Sequence, residues 1–381
     1  MAYFPKDENI FIGAIMPTDG ATAEATQDFF SKQTLDAAMV REFDGLSVSA
    51  LAAGTYLGSA DEADDRRYEN SLVAAALGGI NLFDTAVNYR CQRSERTLAY
   101  VIKKLGGLGF ARNQLVISTK GGFLPGDGSM EGYQDYIYKS YIKTSIIKPD
   151  DIVAQCHCMT PGYITSQINQ SLANLRIKTI DLYYIHNPEI QLPIVGQAEF
   201  YKRLTAAFVA CEQAVSEGKI ARYGVATWDG FRQALGAPDR LDINDVLAAA
   251  KAAGGEGHHF RAIQLPYNLA MLEAVGIRNQ KVAAEEWPII AAATQKGVAV
   301  MISAPLMQGH VLKMPAAMAA SLPGDESVAA KALRFVISSP GVVSAMVGMK
   351  EISHVQDVTQ VLKSKPWDVS TLQKVAQVLV R

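Results

Sequence analysis

The sequence predicts a (β/α)8 TIM barrel with a long loop after the third strand and an N-terminal extension. Three observations carry this prediction. Eight short apolar or β-branched runs recur along the chain, each of strand length. Amphipathic stretches fall between them, so consecutive strands pair in parallel through right-handed helical crossovers. No Gly-x-Gly-x-x-Gly follows the first strand, which weighs against an open doubly wound sheet; closure into a barrel also removes the sheet edges.

Taken in order, residues 1–40 show no clean period and read as the extension, with 41–381 as one barrel domain. Val48 to Gly54 is a strand-like run closed by glycine. The strands are expected at Leu51–Gly54, Ile80–Thr85, Leu115–Thr119, Ile180–Ile185, Arg222–Ala226, Ala262–Leu265, Val298–Ile302 and Val343–Val347. Helices are expected at Glu69–Leu77, Ser94–Leu105, Ile164–Leu175, Glu199–Glu217, Val282–Lys296 and Ser327–Ile337. Thr160-Pro161 starts a helix well, since threonine caps free N–H groups and proline suits the first helical position. Gly218 and Gly297 follow helices where a left-handed residue is needed. Two stretches break the rhythm. Residues 121–160 exceed a normal connection and read as a lid or binding loop carrying Tyr133, Tyr136, Tyr138 and Tyr141. Residues 230–262 read as a helix followed by a flexible loop.

Composition narrows the function classes. The 381 residues are 49% apolar and 19% charged, the mix of a globular protein with a sizeable core. A net charge of −2 with no basic cluster argues against nucleic acid or a membrane surface as partner. Cys91, Cys156, Cys158 and Cys211 are too few for a disulfide framework in so long a chain. No apolar run reaches the roughly 20 residues a bilayer needs, and the N-terminus lacks a signal-peptide core. A reduced, cytoplasmic setting is expected.

The chemistry gathers at strand ends, which in such a barrel face one mouth. The second strand ends in Asp84 and its loop supplies Tyr89; the third ends in Lys120 and the fourth in His186. A lysine closing an apolar run needs a partner, and Asp84 on the neighbouring strand is the obvious one. A phenol has an ordinary pKa near ~10. A nearby ammonium is expected to lower it, making Tyr89 a general acid, with His186 orienting the same oxygen. Such a set suits carbonyl reduction, in which hydride reaches carbon and a proton reaches oxygen. No side chain donates hydride, so a nicotinamide cofactor is implied.

The same pieces resemble the aldo-keto reductases, (β/α)8 barrels that use NADPH or NADH. The resemblance runs from about Arg41 to about Val361. It is carried by Leu-Ser-Val-Ser-Ala-Leu-Ala-Ala-Gly-Thr-Tyr-Leu-Gly, Asn-Leu-Phe-Asp84-Thr-Ala-Val-Asn-Tyr89, Val-Ile-Ser-Thr-Lys120, Asp181-Leu-Tyr-Tyr-Ile-His186, Ile263-Gln-Leu-Pro-Tyr-Asn268, Ala304-Pro-Leu-Met-Gln-Gly309 and Val347-Gly-Met-Lys350. It implies Tyr89 as proton donor, Lys120 and Asp84 as its tuners, and His186 as the carbonyl's orienting group. It also implies Gly54, Thr55 and Tyr56 beside nicotinamide and substrate, Gln264 at the carboxamide, and Pro305, Leu306 and Gly309 over the pyrophosphate. Gly348, Lys350, His354 and Asp357 match the adenosine-end segment, and Lys350 with His354 favours NADPH over NADH. Three positions depart from the family pattern: Ala226-Thr227 replace Ser-Asn or Ser-Arg, Ser303 occupies the slot of a stacking ring beside the nicotinamide, and Asp357-Val358 replace Glu-Asn.

The expected partner is a small-molecule aldehyde or ketone, with Tyr56 and Trp228 toward its pocket. Some members of that family serve as channel-associated subunits, so a cofactor-binding regulatory or sensor protein with weak reductase activity is the alternative. A cofactor-free aldolase or isomerase forming a Schiff base on Lys120 fits poorly. Cys156-His157-Cys158 invites a metal reading, but alternate residues of an extended segment point to opposite faces and no second pair has zinc-site spacing. Lid packing is expected there, a solvated loop at His258-His259, and no metal. No interface stripe sets the oligomeric state.

Overall fold

The computed structural model describes residues 20–379. Eight parallel strands close into a barrel: β1 (Leu51–Gly54), β2 (Leu82–Asp84), β3 (Val116–Gly121), β4 (Leu182–His186), β5 (Tyr223–Ala226), β6 (Phe260–Pro266), β7 (Ala299–Ser303) and β8 (Val342–Gly348). Closure comes from β8 on β1, with Ala345 opposite Leu51 and Gly348 opposite Gly54. Helices α1 (Glu62–Leu77), α2 (Arg93–Gly107), α3 (Pro161–Leu175), α4 (Gln197–Ser216), α5 (Ile243–Gly254), α6 (Ile289–Gln295) and α7 (Val328–Ser338) connect successive strands. After β8 come α8 (Ile352–Val361) and a tail helix, Val369–Leu379. Among the described residues no helix is long and apolar enough to cross a membrane.

The eight strands fall within two residues of their expected bounds because each is buried on both faces and so reads as an apolar run. Inside the lumen Leu82, Val116, Leu182, Tyr184, Ala262, Met301 and Met346 pack together. The base of the lumen is filled by Phe43, Leu46 and Val48 of an antiparallel hairpin, Val40–Phe43 with Leu46–Ser49. Its two-residue turn, Asp44-Gly45, has positive φ at both positions, the geometry this dipeptide favours.

Several expectations need correction. The run from Val48 to Gly54 is not one strand: it divides at Ala50 between the hairpin and β1. The part of the expected extension from residue 20 onward carries a helix, Ala23–Ser31, capped by Thr22 and anchored by buried Phe29; residues 1–19 and 380–381 lie outside the described residues. The expected helix Val282–Lys296 is instead a hairpin, Gln280–Val282 with Glu285–Trp287, followed by α6. Pro288 is the cause, since it holds Trp287 out of the helical region and begins the helix behind itself. Thr160 precedes α3, with Pro161 at its first position, yet its hydroxyl meets Cys158 Sγ at 3.5 Å rather than capping the helix. His258 and His259 lie in a loop as expected, and the partly exposed His259 ring is held by Glu212, 2.7 Å from its Nδ1.

A buried ion pair ties the base together. Arg112 donates to Asp181 Oδ2 at 2.8 Å and to the carbonyls of Leu115 (2.6 Å) and Thr179 (2.9 Å). Asp181 also accepts from the backbone of Ala21 (2.5 Å) and Ile117 (2.7 Å). Replacing one member strands a charge that water cannot reach. Arg112→Met is expected to cost roughly 3–5 kcal/mol, read as a lower guanidinium midpoint; restoring part of that loss with a second change, Asp181→Leu, would identify the stranded carboxylate as its source.

Candidate active site

Parallel register brings the strand ends to one mouth: Asp84 pairs with Ser118 across β2 and β3, and Lys120 with Tyr184 across β3 and β4. Alternation along β3 turns Ser118 and Lys120 into the lumen and Thr119 outward, where its hydroxyl donates to Glu95 at 2.6 Å. Lys120 is fully buried. Its Nζ donates to Asp84 Oδ2 at 2.5 Å and to the Thr85 carbonyl at 2.9 Å. Asp84 Oδ1 accepts from Ser118 Oγ (2.8 Å) and Gln264 Nε2 (3.1 Å). Both charges are thus paired and further hydrogen-bonded, as burial demands.

Tyr89 returns toward this pair through a tight turn, with its N–H on the Ala86 carbonyl at 3.0 Å. Lys120 Nζ lies 4.8 Å from the Tyr89 ring centroid. The rings of His186 and Tyr56 stand edge-on to Tyr89 at 5.7 and 5.0 Å. The mouth therefore gathers all four predicted catalytic residues.

The expected downward shift of Tyr89 is not found. Burial first, then the Asp84 charge and Tyr56, hold the phenol well above its ordinary value. The reason is the arrangement: the ammonium is bonded to Asp84 and Thr85 and faces the ring of Tyr89, so the pair's carboxylate and the loss of water dominate. Burial also pulls Lys120 below its usual value, against the pull of Asp84. His186 is held well below the imidazole range by burial and by the Lys120 charge. Tyr89 is thereby protonated and His186 neutral at neutral pH.

The predicted cofactor positions divide into groups. Gly54 ends β1 and Thr55 follows it, binding the Asp84 carbonyl by its N–H (3.1 Å) and hydroxyl (3.2 Å), while Tyr56 stands 54% exposed. Gln264 lies in the mouth on Asp84. Ser303 ends β7, and Pro305, Leu306 and Gly309 follow in a turn where Met307, Gln308 and Gly309 all have positive φ. Past Gly348, Lys350 donates to Asp64 at 3.0 Å, and Arg67 reaches the same carboxyl group at 3.3 Å. His354 is exposed, and Asp357 accepts from Ser327 at 2.5 Å. Lys350 and His354 are thus not gathered as a bare cationic pair.

The aldo/keto reductase family model matches residues 50–379. The chain belongs to the aldo/keto reductase family. Solved structures similar to this chain share its fold. An aldo-keto reductase of Klebsiella pneumoniae, in complex with NADP and acetate, is 20% identical with a TM-score of 0.62, covering 90% of this chain and 95% of that one. An aldo-keto reductase of Bacillus halodurans in its holo form is 18% identical with a TM-score of 0.61, over 89% and 96%. The glycerol dehydrogenase of Gluconobacter oxydans is 19% identical with a TM-score of 0.63, over 91% and 96%. A curated Schizosaccharomyces pombe protein, named for a voltage-gated potassium channel subunit beta, is 27% identical over 188 residues, 49% of this chain. The chain spans less than half of that relative, 44% of its length.

Sequence reasoning missed three residues around this barrel mouth. Ser118 was accessible in principle, because it sits two residues before Lys120 and so shares its face. Gln191 and Glu189 follow His186 in a short turn with no motif to flag them. Glu189 is buried, and its Oε1 accepts from the backbone of Trp228 (2.6 Å) and Asp229 (3.2 Å), while Oε2 has no partner. It therefore fixes the loop that presents Trp228, which is 38% exposed at the end of β5. Burial pushes the Glu189 carboxyl up to about 7, against the backbone donors. A carboxyl raised on folding stabilises below its unfolded value and loses that contribution as pH rises through about 7. Glu189→Gln keeps the acceptor and removes the charge, so its melting temperature relative to wild type should rise from pH 5 to about pH 7 and level off above it; a pH-independent difference would contradict the assignment.

Proposed function

We propose that this aldo-keto reductase reduces an aldehyde or ketone to an alcohol with a nicotinamide cofactor. The carrying observation is the convergence of Tyr89, His186 and the buried Lys120–Asp84 pair on one barrel mouth. The donor set fits a nicotinamide dinucleotide: an amide side chain, Gln264, in the mouth, and the cations Lys350, just past β8, and Arg67, on α1. When bound, the cofactor supplies the hydride. NADPH is the preferred form in this proposal, with NADH accepted; cofactors of the NADP type in the Klebsiella pneumoniae reductases support it. Lys350 supplies charge in the segment matched to the adenosine end, although Asp64 shares it.

Each side chain then has a defined task. Neutral His186 offers a ring N–H to the carbonyl oxygen and orients it. Tyr89, held protonated, gives its phenolic proton to that oxygen as the alcohol forms. The Lys120 ammonium, 4.8 Å from the Tyr89 ring centroid, offsets part of the charge left on that ring, while Asp84 favours the charged form of the ammonium in a dry site. Tyr56 and Trp228 line the substrate's approach. Lys120 is committed to two hydrogen bonds beneath the mouth, which disfavours a Schiff base. A cytoplasmic setting belongs to the same proposal, in keeping with four unpaired cysteines.

The name of the Schizosaccharomyces pombe relative favours a second reading, a cofactor-sensing subunit with slow chemistry. Cofactor that stays bound through purification, with negligible turnover across a broad carbonyl panel, would support it. For the reductase, loss of NADPH absorbance with at least one aldehyde or ketone is expected, and Tyr89→Phe should lower kcat by roughly 10²- to 10⁴-fold. A variant that kept most of its turnover would remove Tyr89 as proton donor.

A further inference from the structure

His157, on the return limb of the long loop between β3 and α3, is buried against the catalytic mouth. The two limbs form a neck there: Leu124 N–H meets the Cys156 carbonyl at 2.8 Å, and Cys158 N–H meets the Gly122 carbonyl at 2.8 Å. At this neck His157 Nε2 lies 2.7 Å from the main-chain carbonyl oxygen of His186. A carbonyl only accepts, so Nε2 carries the proton and Nδ1 is bare. Nδ1 accepts from Gln191 Nε2 at 2.9 Å, and Gln191 Oε1 accepts from Arg203 at 3.4 Å, itself held by Glu199 at 2.9 Å. One tautomer is therefore dictated from α4 to the end of β4.

The His186 ring lacks an anchor of that kind. Its Nδ1 is buried without a hydrogen-bond partner. What restrains the ring is packing, with Tyr89 on one side and Phe123 at 5.0 Å on the other. Phe123 in turn stands edge-on to His157 at 5.4 Å. The contact also explains Gly122: a β-carbon there would sit 2.7 Å from His157 Nε2 and 3.0 Å from the His186 carbonyl oxygen.

We propose that His157 is a positioning residue for carbonyl reduction: its ring N–H locks the main chain at His186 and, with Phe123, holds the His186 ring facing Tyr89. The proposal rests on His186 acting at the substrate carbonyl. It gives the long loop a defined part in the site beyond covering it. Cys156 and Cys158 flank His157 without sharing that contact.

Two variants separate the hydrogen bond from bulk. His157→Leu removes the donor, whereas His157→Gln places an amide N–H at nearly the reach of Nε2. His157→Leu should lose about 10- to 100-fold in kcat, with KM for the carbonyl and cofactor affinity within about threefold, and His157→Gln should recover most of the loss. A second readout needs no turnover. In protein labelled with ¹⁵N-histidine, the ring signals of His186 should move in His157→Leu and return toward wild type in His157→Gln. Unmoved His186 signals would overturn the proposal, as would moved signals with unchanged kcat in an active enzyme. Equal losses in both variants would also overturn it, since bulk rather than the donor would then be responsible. Wild-type protein without any carbonyl turnover would defeat the reductase reading, and the catalytic part of this proposal with it; the ring signals would then decide only whether His157 places His186.

Discussion

The buried pair of Lys120 and Asp84 is the constraint around which the mouth is built. Two charges taken out of water each carry a penalty of several kcal/mol, on the order reported for buried ions generally. Their attraction offsets it only when the remaining donors and acceptors are also matched. Ser118 and Gln264 complete Asp84, and the Thr85 carbonyl completes Lys120, so three strands and the start of a loop are committed to one ion pair. The Lys120 main chain joins in, its carbonyl accepting from Val87 N–H at 3.2 Å. That bond bends the chain after β2 back across β3, and Tyr89 arrives over the ammonium as a consequence.

Around this pair the other ionisable groups are held neutral. Tyr89 is pushed up and both His186 and His157 are pushed down, burial being the first cause in each case. For Tyr89 and His186 the pair adds to burial: the Asp84 charge disfavours a second anion and the Lys120 charge a second cation. A protonated phenol and a neutral imidazole are also the forms in which one group can give up a proton and the other can donate a hydrogen bond. The folding constraint and the proposed chemistry thus require the same protonation states.

The barrel supplies the frame, and the connections supply the fine placement. The long loop after β3 contributes Phe123 and His157 to the mouth, while the turn after β4 contributes Glu189 toward Trp228 and Gln191 toward His157. Residues 187–191 therefore bracket two neighbouring loops from a single turn. The tyrosines of the long loop are divided within one helical segment, Tyr141 buried and Tyr138 exposed at 54%, so one side of that segment packs while the other faces solvent.

Local pattern determined much of this in advance. Doubly buried parallel strands are apolar runs by necessity, so all eight were legible, and polar residues closing such runs marked Asp84, Lys120 and His186. Proline at 288 and the Asp44-Gly45 turn were equally local signals, and weighing them would have replaced one expected helix and revealed the basal hairpin. Other features belong to the tertiary structure alone. The direction of the Tyr89 shift depends on whether an ammonium faces the ring or the hydroxyl and on how much water is lost, which no spacing encodes. The contact between His157 and His186 joins residues 29 apart in sequence across two different loops. Strand ends announce themselves because burial along a strand is periodic; the partners that loops bring to them do not, because loop paths are set by packing over the finished barrel.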